Sequence, residues 1–214
     1  MPRIRTTRGR LVTSTAVVLA LVLFVPHAVQ AWRHEVSPWD RSLSEAIHAW
    51  ENRDTILNAR VDLLGVVLDP MLHFVGVLLV LGVAAHLYLQ GEKRSALVVA
   101  VTFTAATLLG LALKEVFGRP PVDPGGSGHT FPSGHAMRTM AGAAALALVA
   151  WPTRWRWHVV VGGCVFVLLT GVAVVYHEWH WISDVLAGWY LAVALLGSVW
   201  LVLGHERVVR RLGR

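Results

Sequence analysis

The sequence has a single cysteine, Cys164, which lies inside an apolar run. One cysteine excludes a disulfide within the chain, and it excludes a metal site built from several thiolates. An unpaired cysteine in apolar surroundings generally behaves as a small hydrophobic residue. We therefore assign Cys164 no role in function.

Charged residues are also scarce, since they make up 15% of the 214 residues, whereas 55% are hydrophobic. The mean hydropathy is +0.57. These values exclude an ordinary soluble domain and are typical of a protein with several membrane-spanning helices. A net charge of +6 would suggest a nucleic-acid partner in a soluble protein. Here the basic residues flank apolar runs, so we expect membrane topology to explain them and no nucleic acid to bind.

Six apolar runs predict six transmembrane helices, each close to the roughly 20 residues that a helix needs to cross a bilayer. The predicted spans cover about residues 11–32, 69–90, 95–117, 133–151, 159–176 and 182–203. The expected fold is all-α, an integral membrane bundle that forms a single domain over residues 1–214. The first run can alternatively be a cleaved signal peptide, because residues 29–31 resemble a cleavage site. Its length and the resulting even number of spans favour a retained helix.

The segment between the first two spans, residues 33–62, is polar and mixed in charge. Apolar side chains recur in this segment at helical spacing, at Leu43, Ala46, Ile47 and Trp50. This spacing predicts a short amphipathic helix that lies at the membrane surface.

Basic residues are distributed unevenly between the two sides of such a bundle. With six spans, the N-terminus, the turns at 91–94 and 152–158 and the C-terminal tail share one side, which holds 12 of the 19 lysines and arginines. The same side holds only two of the 13 acidic residues. The positive-inside rule places this side in the cytoplasm. We therefore expect a multi-pass protein of the cell membrane with cytoplasmic termini and with the loops at 33–68, 118–132 and 177–181 outside.

A loop rich in glycine and proline leads into the fourth span at residues 131–135. Pro132 suits the entry of a helix, and Ser133 suits its N-cap. The first turn would then combine backbone N–H groups with a hydroxyl, the imidazole of His135 and the guanidinium of Arg138. Such a helix N-terminus favours an anion, above all a phosphate or a carboxylate.

Further polar side chains fall at the outer ends of the neighbouring spans. His180 and Asp184 are four residues apart, so on a helix they would share a face, and Asp184 would orient the imidazole as a nucleophile or base. His135 can protonate a leaving oxygen, and Lys114 can neutralise an anionic transition state. This combination predicts phosphoryl transfer without a metal or another cofactor. A zinc site is the competing interpretation, for which His180 and Asp184 are too few ligands.

Several of these residues also have a structural interpretation. Lys114 can extend its ammonium group to the lipid headgroups, and Arg138 can pair with an acidic residue or a headgroup. His129, His177 and Glu178 are typical of a solvated loop. We interpret the set as functional because its members gather at the same ends of the predicted spans.

The residues resemble the three motifs of the type 2 phosphatidic acid phosphatase superfamily, over about residues 70–200. The first matching element is Lys114. The second is the Pro-Ser-Gly-His segment at 132–135, and the third is His180 followed by the Asp-Val-Leu-Ala-Gly segment at 184–188. The last two segments are specific together and weak separately.

This resemblance implies a reaction and a set of roles. His180 would form a phosphohistidine, Asp184 would orient it, and His135 would protonate the leaving group. The substrate would be a lipid phosphate or diphosphate. The residues expected to hold phosphate oxygens are Lys114, Ser133 and Gly134.

Two arginines of the family pattern are absent from their expected places. The first motif has Arg-Pro after the lysine and six further residues, where this sequence has Pro121 and Val122. The third motif has an arginine six residues before the histidine, where this sequence has Val174. We expect Arg119 and Arg138 to replace the two arginines as phosphate ligands.

Two functional hypotheses follow. The first is an integral-membrane phosphatase that removes the terminal phosphate of a lipid phosphate or diphosphate at the outer leaflet. The alternative is a catalytically weak or inactive member of the family that binds an anionic headgroup or a protein partner. The retained histidines, with Asp184 and Lys114, favour the enzyme, whereas the two missing arginines favour the binding protein.

The predicted topology can be tested with reporter fusions. A reporter at position 214 should be cytoplasmic, and one inserted at position 126 should be external, because the basic residues lie on the side of the termini. The measurement is a pair of reporters that are each active on one side of the membrane only. Activity of the same reporter at both positions would contradict the six-span topology.

Overall fold

The structure, a computed structural model, describes residues 2–51, 76–122 and 128–204. All regular secondary structure in these residues is helical. The helices are α1 (Pro2–Trp32), α2 (Pro38–Glu51), α3 (Gly76–Leu89), α4 (Lys93–Phe117), α5 (Gly134–Ala150), α6 (Arg156–Tyr176) and α7 (Ile182–Val199). A π-helical segment, Trp200–Gly204, continues α7. The all-α fold class predicted from the sequence is therefore confirmed.

Four helices in the described part of the chain are long and apolar enough to cross a membrane: Arg8–Trp32, Lys93–Phe117, Arg156–Tyr176 and Ile182–Leu203. Helix α5 is also apolar but has 17 residues. Helix α3 lies within the second predicted span, whose residues 69–75 are outside the described part.

The amphipathic helix expected between the first two spans is α2. Ser37 accepts a hydrogen bond from the backbone N–H of Asp40 (3.1 Å), and Pro38 occupies the first helical position, so the helix has a capped start. Leu43 and Ile47 are half-buried next to the α6–α7 loop, so the apolar side of this helix packs against the bundle. The Trp50 side chain and residues 52–62, which completed the predicted pattern, lie outside the described part.

Helix α7 is the centre of the bundle, because it packs against α1, α4, α5 and α6. Small residues allow the close approach, as is usual between helices in lipid. A Cβ atom added to Gly188 would lie 2.8 Å from the backbone oxygen of Ser133 and 3.2 Å from the backbone nitrogen of Met137. The start of α5 therefore lies directly on the backbone of α7.

Several chain segments meet at one end of this bundle. They are the residues after α1, the α4–α5 loop and the α6–α7 loop. Helix α4 ends at Gly118, whose φ of 58° lets the chain turn directly into Arg119. Arg119 then contacts Glu35, which follows α1, and Ser183, in the first turn of α7 after the α6–α7 loop. The loops that the sequence places on one side of the membrane thus share one end of the structure.

The contact between α5 and α7 generates a prediction for stability. Gly188→Ala should destabilise the protein by about 1–3 kcal/mol, because its methyl group has no room against the backbone of α5. The measurement is thermal unfolding of the purified protein in detergent. Gly162→Ala is the control, since a Cβ atom there meets nothing within 4 Å and alanine favours a helix over glycine. Equal unfolding temperatures for the two variants would contradict the close packing.

Candidate active site

His180 and Asp184 lie together at the start of α7. Asp184 is fully buried and His180 is 5% exposed, with 3.7 Å between His180 Nδ1 and Asp184 Oδ2. Helix α7 begins at Ile182, where the predicted sixth span begins, so His180 precedes the helix and the two residues do not share a helix face. Trp181 is extended before the helix, and its N–H donates to Asp184 Oδ2 at 3.1 Å. This capping contact brings the carboxylate back to the imidazole that precedes the helix.

The α6–α7 loop that carries His180 is shaped by one carbonyl group. The backbone oxygen of Val174 accepts the N–H groups of Trp179 (3.1 Å) and His180 (3.2 Å). The Val174 side chain is fully buried against Ala136 and Val185. The position where the family pattern has an arginine is therefore an apolar contact in this chain.

The second histidine, His135, lies next to the first, where the starts of α5 and α7 meet. It is in the first turn of α5, and its ring centroid is 6.4 Å from that of His180. The two ring planes meet at 64°, edge to face, so the imidazoles are direct neighbours. Two imidazoles in one place can supply a nucleophile or base and an acid to the same bound group.

The start of α5 is fixed by Ser133, as the sequence predicted. Its hydroxyl accepts the N–H of Ala136 at 3.4 Å, and its own N–H donates to the backbone oxygen of Asp184 at 3.0 Å. The first turn of α5 is therefore joined to the first turn of α7. Backbone N–H groups at such a helix start attract an anion.

Two cations accompany this helix start. The Arg138 guanidinium folds back over the first turn of α5, since its Nη1 atom lies 3.4 Å from the position of a Cβ atom on Gly134. Glycine at that position leaves room for the guanidinium. Lys114, in the last turn of α4, is half-buried and lies within electrostatic range of both Arg138 and Asp184.

Arg119 occupies a different place from the other cations. It is 1% exposed, and its Nη1 atom donates to Ser183 Oγ (2.8 Å) and to Asp184 Oδ1. Its Nη2 atom donates to the backbone oxygen of Glu35 (3.0 Å) and to Asp40 Oδ2 (3.3 Å). Protein acceptors thus surround the guanidinium that the sequence suggested as a phosphate ligand.

Two residues of this cluster, Asp40 and Ser183, were not predicted from the sequence. Asp40 is 2% exposed, its Oδ1 accepts the Ser183 N–H (3.0 Å), and its Oδ2 accepts the Ser183 hydroxyl (2.7 Å). The pattern of Ser37 followed three residues later by an acidic residue indicates a helix start. It does not indicate that the carboxylate reaches another helix.

The remaining polar loop residues have structural contacts. Glu178 accepts a hydrogen bond from the Ser44 hydroxyl at 2.8 Å, and the His177 ring stacks on Trp179 with 5.3 Å between centroids.

In the ranges 2–51, 76–122 and 128–204, no three histidine, cysteine or acidic side chains are grouped so that they could hold a metal ion.

Comparisons with known proteins agree with this arrangement. Residues 95–207 match the family model of the PAP2 superfamily. An undecaprenyl-diphosphatase from Sulfolobus acidocaldarius is 29% identical over 118 residues, which cover 50% of this chain and 55% of that protein. The match thus spans about half the length of this curated relative.

A solved structure has the same fold. The transmembrane PAP2-type phosphatidylglycerolphosphate phosphatase from Bacillus subtilis superposes with a TM-score of 0.67, at 22% identity, over 86% of this chain and 94% of that chain. The family match covers more than half of the sequence and includes every predicted site residue. The chain belongs to the PAP2 superfamily.

Proposed function

We propose that this protein is an integral-membrane phosphatase that hydrolyses a lipid phosphate or diphosphate through a phosphohistidine. The proposal is carried by two neighbouring histidines, 6.4 Å apart between ring centroids, at the anion-attracting start of α5. A buried carboxylate lies behind one of the rings. Membership of a phosphatase superfamily supports the same reaction class.

The histidines divide the chemistry between them. His180 attacks the terminal phosphorus through Nε2, so that a P–N bond forms as the P–O bond to the leaving group breaks. Asp184, next to Nδ1, orients the ring and balances the positive charge that it gains. His135 gives a proton to the leaving oxygen, then takes one from the water that cleaves the P–N bond.

The phosphate is held by charge and by backbone N–H groups. Lys114 and Arg138 supply the positive charge, and the first turn of α5 supplies backbone donors from Gly134 onward. The Ser133 N–H already donates to Asp184, so Ser133, which was expected to hold phosphate through this turn, can contribute only its hydroxyl. Arg119 was expected to share this role, but its guanidinium already donates to four protein acceptors. We therefore assign Arg119 to holding Asp184, and Arg138 to the substrate.

A groove next to Arg138 supports a lipid as the substrate. It has a volume of about 480 Å³ and runs along α5 from Arg138 to Thr153, between α3 and α6. From Arg138 to the end of α5 it extends roughly 18 Å, at about 1.5 Å per residue. That length exceeds half of a hydrocarbon core of about 30 Å, so the groove suits a long chain. The apolar lining includes Val80, Gly142, Ala143, Leu146, Gly163 and Phe166.

The reaction is proposed to take place at the outer leaflet, in a bundle of six transmembrane helices with both termini in the cytoplasm. Four of the six proposed transmembrane helices are the long apolar helices described above. The other two are the predicted spans that contain α3 and α5. The distribution of basic residues supports this orientation. The gathering of the loops and the histidines at one end of the bundle is consistent with it.

A protein that binds an anionic headgroup without turnover is the second candidate function. The buried apolar side chain of Val174 favours it, because the family pattern has a phosphate-binding arginine at that position. The loss of such a contact without replacement would weaken transition-state binding more than headgroup binding. The two functions differ in whether phosphate is released.

The test is phosphate release from a panel of lipids by the purified protein in detergent micelles with EDTA. The panel contains phosphatidic acid, phosphatidylglycerol phosphate, a long polyprenyl diphosphate and a short soluble phosphate ester. We expect release from at least one long-chain lipid, little from the soluble ester, and none with His180→Ala, which lacks the nucleophile. Rapid quenching should trap an acid-labile, base-stable phosphoryl group on the wild-type protein only.

His86→Ala is the control for this experiment, because His86 is exposed near the turn between α3 and α4, at the end of α4 that is opposite to Lys114. It should retain the activity of the wild-type protein. Turnover by a folded His180→Ala protein would exclude the phosphohistidine. Tight binding of the same lipids without any phosphate release would favour the second function, and activity that requires an added metal ion would contradict the proposed charge balance.

Arg138 provides a separate prediction. Arg138→Lys should lower turnover and the affinity for orthovanadate by about ten- to a hundredfold, with little change in thermal stability. Lysine keeps the charge but loses the paired N–H···O contacts, and hydrogen bonds to charged groups contribute about 1.5–3 kcal/mol. Arg154→Lys, in the exposed turn at the opposite end of α5, is the control. Full activity of Arg138→Lys would remove Arg138 from the site.

A further inference from the structure

Asp40 is a buried carboxylate that comes from outside the part of the chain that matches the family. It lies on α2, whereas the match begins at residue 95. Its carboxylate accepts three hydrogen bonds, two from Ser183 and one from Arg119 Nη2. A carboxylate is rarely buried without such partners, and each of these partners is next to the candidate catalytic group.

Helix α2 contacts the α6–α7 loop on both sides of His180. Before the histidine, Glu178 accepts the hydroxyl of Ser44 at 2.8 Å. After it, Ser183 donates its N–H and its hydroxyl to Asp40. The loop that carries the candidate nucleophile and the first turn of α7 that follows it are therefore each held by a residue of α2.

The charges in the buried cluster also require Asp40. Arg119 is shared between Asp40 and Asp184, and all three side chains are at most 2% exposed. With both carboxylates ionised, the trio has a net charge of −1. In a low-dielectric interior this charge acts strongly on a neighbour, and Asp184 Oδ2 faces the imidazole of His180.

We propose that Asp40 is a positioning residue for the reaction at His180, which acts by balancing the charge of Arg119 so that Asp184 keeps its negative charge for the imidazole. The inference rests on the proposed phosphatase function. When Nε2 forms a bond to phosphorus while Nδ1 keeps its proton, the ring becomes positively charged. Without Asp40, Arg119 would neutralise Asp184 and remove the stabilisation of that charge.

The first experiment replaces the carboxylate by its isosteric amide. Asp40→Asn should lower kcat by roughly 10- to 100-fold, the range found when a group that orients a reacting side chain is lost, and should change KM much less. The yield of trapped phosphohistidine and the thermal stabilisation by orthovanadate should fall as well. Glu45→Gln is the matched control, because it removes the same charge from an exposed position on the same helix.

The second experiment separates charge balance from simple scaffolding. Asp40→Asn combined with Arg119→Met leaves Asp184 as the only charge of the trio and restores −1. This double variant should therefore have a higher kcat than Asp40→Asn alone. If Asp40 only supports the fold, the double variant should be worse than either single variant, because more hydrogen bonds are lost.

The outcomes distinguish this inference from the proposed function. Wild-type kcat in a folded Asp40→Asn protein, or a double variant below both single variants, would overturn the role of Asp40 and leave the phosphatase intact. Absence of turnover in the wild-type protein would overturn the phosphatase. Thermal stabilisation by orthovanadate would then be compared between the wild-type and Asp40→Asn proteins: a smaller stabilisation of Asp40→Asn supports the role of Asp40, and an equal one overturns it. If the double variant does not fold, a fall in kcat of Asp40→Asn relative to Glu45→Gln with an unchanged unfolding temperature supports the role of Asp40, and a fall in both quantities overturns it.

Discussion

A carboxylate without contact with solvent has to be paired or hydrogen-bonded by its neighbours, and Asp184 meets this requirement with both of its oxygens. Oδ1 accepts from Arg119, and Oδ2 accepts from the N–H of Trp181 and faces His180. The backbone oxygen of the same residue accepts the N–H of Ser133. One residue therefore sets the relative positions of the end of α4, the start of α5 and the start of α7.

The position of the first-motif arginine follows from where α4 ends. Gly118 adopts a left-handed conformation, so the chain leaves the helix immediately before Arg119. This arginine lies two residues earlier than the family pattern places it, and it enters the space between Asp40 and Asp184. A guanidinium with this many buried acceptors is costly to withdraw, because each carboxylate would be left uncompensated. Substrate binding is then left to cations that are partly exposed.

Local patterns in the sequence predicted much of the architecture. Apolar runs gave the positions of the helices, because burial in lipid depends on length and composition, and the residue types around Ser133 predicted its cap. The nearness of His180 and Asp184 was predicted correctly for a partly wrong reason, since a capping contact and not a shared helix brings them together. Such local interactions are readable because their partners are close in sequence.

Long-range contacts were not predictable in the same way. Asp40 and Ser183 are separated by 143 positions, and no periodicity links them. The sequence presents Arg119 as a cation near a phosphate-binding motif, and only the packed structure gives its guanidinium to protein acceptors. Tertiary packing thus decides which of several similar charged residues is paired inside the protein and which stays partly exposed.

In the proposed mechanism the buried trio and the two half-buried cations have separate electrostatic tasks. The trio of Asp40, Arg119 and Asp184 supplies a fixed negative charge behind the imidazole, whereas Lys114 and Arg138 lie where a phosphate is proposed to bind. Because Lys114 and Arg138 are proposed to hold the phosphate, Val174 can stand where the third motif of the family has an arginine. The Val174 side chain packs against α5 and α7, and its carbonyl group shapes the loop that carries His180. An arginine side chain there would have to displace this apolar contact, and a buried guanidinium without a carboxylate nearby would be unstable unless phosphate were bound.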